Sequence, residues 1–281
     1  MPLLGAHMSI AGGVEQALLR GHGIGCGAIQ IFTKNARQWQ AKPFLPEEVA
    51  RFRRVWQETG VRAVFAHTSY LINLGAGDQA LWQKSVTSFI GEVERCAALG
   101  LPYIVTHPGS NSDEEVGLAR IGSALDEILR QTEGSGVMIL LETTAGQGGS
   151  LGYRFEHLAH LIEASRFPER LGVCYDTCHT FAAGYDIRTL EAYTQTFTRF
   201  DQLIGLDRLK VVHLNDSRGE LGSRLDRHEH IGAGKLGLEA FRLVLNDPRF
   251  QDLPMVLETP KGPDLKEDVE NLRVLRSLLA T

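Results

Sequence analysis

Eight short apolar runs, each followed by a polar loop and an amphipathic stretch, predict an α/β fold closed into a (β/α)8 (TIM) barrel. Three observations carry that prediction. The runs are near-continuously apolar, as strands of a parallel sheet covered on both faces must be. The chain has 281 residues, the length such a barrel takes as one domain. Seven of the eight runs end on His, Asp or Glu, in one of them a residue before its last, and a barrel gathers all its strand ends at one rim.

In order, the runs are LLGAH (3–7), AIQIF (28–32), VRAVFAH (61–67), YIVTH (103–107), VMILLE (137–142), LGVCYD (171–176), LKVVHL (209–214) and PMVLE (254–258). The segment 80–100 repeats its apolar residues at intervals of three and four, which predicts a helix. Residues 114–132 do the same, with Gly134 just beyond as a stop signal. A doubly wound open sheet is the structural alternative. It is disfavoured because GAHMSIAGG, after the first run, lacks the spacing of a dinucleotide-binding loop.

Composition narrows the class. No apolar run reaches the roughly 18 residues that cross a bilayer, and MPLLGAHMSIAGG carries no basic leader, so a cytoplasmic protein with no membrane partner is expected. Four cysteines, Cys26, Cys96, Cys174 and Cys178, are too sparse for a disulfide framework. Cys174 reads as barrel core and Cys178 as packing. A formal net charge of −5 argues mildly against nucleic acid, whose partners usually carry basic surfaces.

The strand ends are His7, Phe32, His67, His107, Glu142, Asp176, His213 and Glu258. Ten His with 34 Asp and Glu make 44 of 281 residues, about one in six, so seven of eight positions is far above chance. A single His at a strand end is most often a hydrogen-bonded core residue, but so many imidazoles and carboxylates in one pocket would repel and desolvate one another without a cation. Neutral His and ionised carboxylates around metal remove both problems, and mixed nitrogen and oxygen donors favour zinc or manganese. His67, His107, Glu142, Asp176, His213 and Glu258 suffice for two ions, which about 4 Å apart can clamp an in-line displacement at phosphorus. His179 lies three residues beyond Asp176, and Asp226-x-His228-x-His230 places three side chains on one side of an extended segment. With His179, any two of those three complete a third site; spacing does not choose between them. His7 reads as an orienting residue, whereas His22, His157 and His160 fall in helical stretches and are expected to be solvated.

HTSYLINLG (67–75), HPGS (107–110), LETTAGQG (141–148), GVCYDTCHTFAAGYD (172–186), HLNDSRGELGSRLDRHEHIGAG (213–234) and LETP (257–260) together resemble endonuclease IV, the zinc-dependent apurinic/apyrimidinic endonuclease family of base-excision repair. The resemblance covers essentially the whole chain, and its DTCH and DRH blocks are long and specific. It implies a (β/α)8 barrel with three zinc ions per chain: one on His67, His107 and Glu142, a second on Glu142, Asp176, His213 and Glu258, a third on His179, Asp226 and His228 rather than His230. It also implies a monomer whose partner is double-stranded DNA containing abasic sites or blocked 3′ ends. By the same resemblance, the phosphodiester 5′ to the abasic site would be hydrolysed by a trinuclear zinc hydroxide mechanism, giving 3′-hydroxyl and 5′-deoxyribose phosphate ends, with Glu142 the catalytic group nearest the nucleophile. Thr68, where the family often has an acidic residue, and Glu229 after His228 depart from the pattern without touching the ligand set.

DNA contacts are expected from loops at the same rim. FTKNARQWQAKPF (32–44) carries Lys34, Arg37 and Lys42 around Trp39, and SYLINL (69–74) follows the ligand His67. By the resemblance, Arg37, Tyr70 and Leu71 wedge into the duplex and fill the gap left by flipped nucleotides. Three Zn²⁺ bring the formal −5 to about +1, concentrated at that rim. Two other classes compete. A sugar isomerase or epimerase of the same architecture explains the strand ends but neither the third ligand set nor the basic loops. A non-catalytic zinc- or DNA-binding scaffold gives no reason for bridging carboxylates on an open face.

Overall fold

The computed structural model describes residues 1–280. Eight parallel strands close into a barrel in sequence order, each hydrogen-bonded to the next and the last to the first. They are β1 (Leu3–Met8), β2 (Ala28–Phe32), β3 (Ala63–His67), β4 (Tyr103–Thr106), β5 (Met138–Glu142), β6 (Leu171–Asp176), β7 (Leu209–His213) and β8 (Pro254–Leu257). The expected barrel is thus the observed one. His107 and Glu258 fall one residue past their strands, since hydrogen bonding with the neighbouring strands ends at Thr106 and Leu257.

Helices α1 (Val14–Gly23), α2 (Pro46–Thr59), α3 (Gln79–Leu99), α4 (Glu114–Gln131), α5 (Phe155–Ala164), α6 (Thr177–Ala183), α7 (Leu190–Leu203), α8 (Gly237–Leu245) and α9 (Lys266–Ser277) make the α-helical set among the described residues. None of them is long and apolar enough to cross a membrane. The two helices expected at 80–100 and 114–132 are α3 and α4, each starting where a carboxylate accepts an otherwise orphaned backbone N–H: Asp78 from Leu81 and Asp113 from Val116. Helix α3 stops at Gly100, whose φ of 83° needs no Cβ.

Two apolar layers result. A small cluster fills the barrel bore, with Leu3, Ala28, Phe65, Val105, Leu140, Cys174, Val211 and Val256 contributing one residue from each strand. The larger layer lies between strands and helices. In β1, Gly5 has no alternative, because a Cβ there would sit 1.6 Å from the Ala28 carbonyl oxygen. Above the apolar plug, each strand's last inward residue points into the rim, and there the polar residues collect.

Candidate metal centre

Glu142 ends β5 fully buried and is the hub. Its Oε2 lies 3.0 Å from His67 Nε2 and 3.3 Å from His107 Nε2. Its Oε1 lies 3.1 Å from His213 Nδ1. The two oxygens therefore face different partners. His213 Nδ1 is also 3.3 Å from Glu258 Oε2 and 3.7 Å from Asp176 Oδ2. A third group stands beside these, with His179 Nε2 3.2 Å from Asp226 Oδ1 and 3.3 Å from His228 Nε2.

The geometry fits metal. Two donors each about 2.0–2.1 Å from a tetrahedral zinc ion sit about 3.3 Å apart. The ligand atoms of His67, His107 and Glu142, of Glu142, Asp176, His213 and Glu258, and of His179, Asp226 and His228 form three such groups, each within 4.8 Å. Two imidazole nitrogens facing each other at 3.3 Å repel unless a proton or a cation lies between them. Nitrogen and carboxylate oxygen in these proportions suit zinc.

Ligand histidines must present a lone pair, and the other ring nitrogen's hydrogen bond decides which one. His67 Nδ1 donates to the Thr68 carbonyl at 2.7 Å. His179 Nδ1 donates to the Thr143 carbonyl at 2.9 Å and also lies 3.2 Å from Glu142 Oε1. His228 Nδ1 faces the Glu258 carbonyl at 3.2 Å. All three leave Nε2 for the centre. His213 is turned the other way and presents Nδ1.

Without metal the cluster neutralises itself with protons. Burial opposes charge on His179, yet Asp176, Asp226 and Glu142 outweigh it and hold the imidazole well above its ordinary pKa. His213 is likewise raised well above against burial, by Cys174, Glu258 and Glu142. Burial also opposes charge on Glu142, but His107 and His213 hold it well below the carboxylate range. His213 does the same for Glu258 against its burial, and His179 draws Asp226 down to about 2 against its burial.

Local structure explains how a strand can end in DTCH. Asp176 caps α6, its Oδ1 accepting from His179 N at 2.8 Å, while Oδ2 accepts from Asn215 Nδ2 at 2.7 Å. Asp226 and His228 come from the long loop after β7. A two-residue antiparallel ribbon, His228–Glu229 on Asp216–Ser217, holds that loop. Asp216 anchors its far end by accepting from the backbone of Gly232, Gly234 and Leu236 at 2.9–3.1 Å.

The structure places the other expected residues as follows. His230 faces Asn271, which donates to its Nδ1 at 3.1 Å, and joins none of the three donor groups among the described residues. Cys178 packs buried under the Asp226 loop, its Sγ donating to the Arg227 carbonyl at 3.6 Å. It falls within 4.8 Å of Asp176 and His228, but burial and Asp176 push its thiol up to about 12. Arg37 is exposed, Tyr70 is 72% exposed and Leu71 is half-buried. Tyr70 stands edge-on to Phe32, ring centroids 5.3 Å apart.

Two expectations are overturned. Lys34 is not free to meet DNA from its loop: it is 5% exposed, with Nζ 2.9 Å from the buried Glu92 carboxylate of α3. Glu92 also accepts from Ser69 N at 3.1 Å, so the pair ties the loop after β2 to the loop after β3. His157 is not solvated either. It is 2% exposed, its Nδ1 accepting from Gly152 N at 3.2 Å and its Nε2 3.3 Å from Glu114, because the loop after β5 folds back over α5. His22 and His160 are exposed as expected. Sequence reasoning passed over Gln30, Asn215 and Asp216, which carry no signal beyond being polar within or just after apolar strands.

Comparison with known proteins agrees with this geometry. Residues 20–278 match the family model described as Xylose isomerase-like TIM barrel. The chain is 57% identical over 281 residues to the probable endonuclease 4 of Chloroflexus aurantiacus, covering 99% of each. It superposes on the crystal structure of endonuclease IV from Thermus thermophilus with a TM-score of 0.87 at 42% identity, covering 99% of this chain and 98% of that one. A D-tagatose 3-epimerase-like protein shares the fold at 18% identity and a TM-score of 0.74, covering 98% and 96%. Near-complete coverage at these identities decides the lineage: the chain belongs to the endonuclease IV family.

Proposed function

We propose that this protein is a DNA-repair endonuclease that cuts the phosphodiester 5′ to abasic sites in duplex DNA and clears blocked 3′ ends. The cut leaves a 3′-hydroxyl and a 5′-deoxyribose phosphate. The observation that carries the reading is the set of three contiguous donor groups in a chain of this family, two of them sharing Glu142. Three zinc ions are the assigned cofactor, on His67, His107 and Glu142; on Glu142, Asp176, His213 and Glu258; and on His179, Asp226 and His228. Bound zinc supplies a Lewis acid for phosphoryl oxygens and a source of nucleophile at neutral pH.

The chain's own part is charge, position and shape. Glu142 spends one oxygen on each of the first two groups, so its single charge sets their spacing and makes it the catalytic carboxylate. Asp176 is held between the α6 N-terminus and Asn215 and has no freedom to swing. Arg37, Tyr70 and Leu71 are assigned to the DNA wedge, where they replace stacking lost when the damaged nucleotide leaves the helix. Tyr70 suits this because it is 72% exposed while its ring is steadied edge-on against Phe32. A monomer acting in the cytoplasm completes the proposal.

A duplex with one tetrahydrofuran abasic analogue tests it, alongside elemental analysis of the purified protein. Incision immediately 5′ of the analogue, with about three zincs per chain, is the expected result. Intact duplex after incubation with fully zinc-loaded protein would overturn it.

A further inference from the structure

We infer that Gln30 is a positioning residue that fixes which nitrogen of His213 faces the metal centre. The inference rests on the metal-site reading above. Gln30 lies mid-strand in β2, fully buried, and its side chain reaches three other strands. Its Nε2 donates to Glu258 Oε1 at 2.6 Å and to His7 Nδ1 at 2.8 Å. Its Oε1 accepts from His213 Nε2 at 2.8 Å.

Only one arrangement of the amide is electrically allowed. Turned over, it would set its carbonyl oxygen 2.6 Å from a carboxylate oxygen, an acceptor on an acceptor. The Glu258 charge therefore orients the amide, and the amide's oxygen requires a proton on His213 Nε2. A neutral His213 has then only Nδ1 left as lone pair, and Nδ1 is the atom that points at Glu142, Asp176 and Glu258. The chain of cause runs from carboxylate to amide to imidazole to ligand atom. His67, His179 and His228 obtain the same control from backbone carbonyls, which no substitution removes. In His213 alone of these four it comes from a side chain. The same amide also restrains Glu258, so one residue steadies two donors of one ion.

Outer hydrogen bonds of this kind are worth about 10–100-fold in metal affinity. Gln30→Met keeps the length and bulk of the side chain and removes all three hydrogen bonds. It should weaken one of three zincs by about 10–100-fold in chelator competition while the other two hold at wild-type affinity. Gln30→Glu places a carboxylate against Glu258 and should do at least as much. Long-range ¹H–¹⁵N spectra of the imidazoles in the zinc-loaded wild type read the tautomer without any variant. They should show the proton on His213 Nε2. A proton on Nδ1 there, or wild-type affinity for all three zincs in a folded Gln30→Met, overturns the inference. Should the duplex assay fail while these results hold, the function is wrong and the positioning role stands.

Discussion

Replacing Glu142 by Gln is the sharpest test of the centre, since the change keeps the side chain's shape and removes its charge. The carboxylate has donors 3.0 Å from Oε2 and 3.1 Å from Oε1, in a site with no solvent exposure. Half a unit charge on each oxygen against a divalent cation at about 3 Å interacts by about 5 kcal/mol per oxygen at an effective dielectric of about 20. Halving this for the dipole the amide retains and for relaxation still leaves about 5 kcal/mol over the two oxygens. Three orders of magnitude in rate require about 4 kcal/mol. Cleavage of abasic duplex should thus fall at least about a thousandfold, with zinc retention reduced. The fold should survive, because in the metal-free protein His179 and His213 answer the lost charge by releasing protons rather than by unfolding. Single-turnover incision, elemental analysis and thermal unfolding measure the three effects. Near-wild-type turnover with a full zinc complement would refute the bridging role.

Other substitutions separate the remaining assignments. His228→Ala should lower zinc content by about one ion per chain, whereas His230→Ala, whose ring is engaged by Asn271, should leave it nearly intact; elemental analysis giving the reverse pattern would reassign the third site. Alanine at Tyr70 and Leu71 together should weaken binding and incision of abasic duplex while sparing the metals and leaving bis-p-nitrophenyl phosphate hydrolysis much less affected; equal losses on both substrates would make them structural. Asp216→Asn points an amide at backbone N–H groups in place of an acceptor, costing about 1–3 kcal/mol locally, so exchange at 230–236 should quicken and the third zinc be lost first; unchanged exchange would sever that link. Acidification should release zinc. In the metal-free chain His179 and His213 are raised, so their contribution is full below the ordinary imidazole value and is lost as pH rises through the raised ones. Glu142 and Glu258 are lowered, and theirs is present above the ordinary carboxylate value and lost as pH falls through the lowered ones. Zinc must displace those imidazolium protons, so the Tm gained on adding zinc should widen from about pH 5 to about pH 8; a constant gain would contradict the proton network.

What was legible in the sequence follows from how a barrel works. Strands ending in His67, Glu142, Asp176 and His213 announce themselves because a parallel barrel brings every strand end to one rim, whatever the separation along the chain. Residues 191 positions apart, such as His67 and Glu258, then converge without any local signal. The misread residues depend instead on one specific partner. Lys34 looks like its neighbours Arg37 and Lys42 until Glu92, 58 positions on, takes its charge into the interior. His157 sits at a helical position like that of His160, and a loop fold-back alone distinguishes them. Gln30 is one polar residue in AIQIF, and nothing in that string says that its amide faces a carboxylate and an imidazole from two distant strands.

The barrel itself does not choose between nuclease and epimerase, since a D-tagatose 3-epimerase-like protein shares it at 18% identity. Exposure around the centre argues for the larger substrate. Sites for small molecules bury about 70–90% of their ligand, which for a polyol means enclosure on all sides. Here Glu142 and His213 are fully buried, while the side chains of His107 and Asp226 are each 39% exposed. Asp216 ties together the two ends of the Asp226 loop, and the loop after β2 is tied through Lys34 and Glu92 to the loop after β3. Tyr70 stands beyond that rim, 72% exposed. A sugar held at the centre would leave Tyr70 without a partner, whereas a duplex laid across the rim can present one everted phosphate to the donors and its vacated stack to the ring. On the proposed reading, the exposed aromatic beyond the rim is accounted for by a nucleic-acid substrate and not by a sugar.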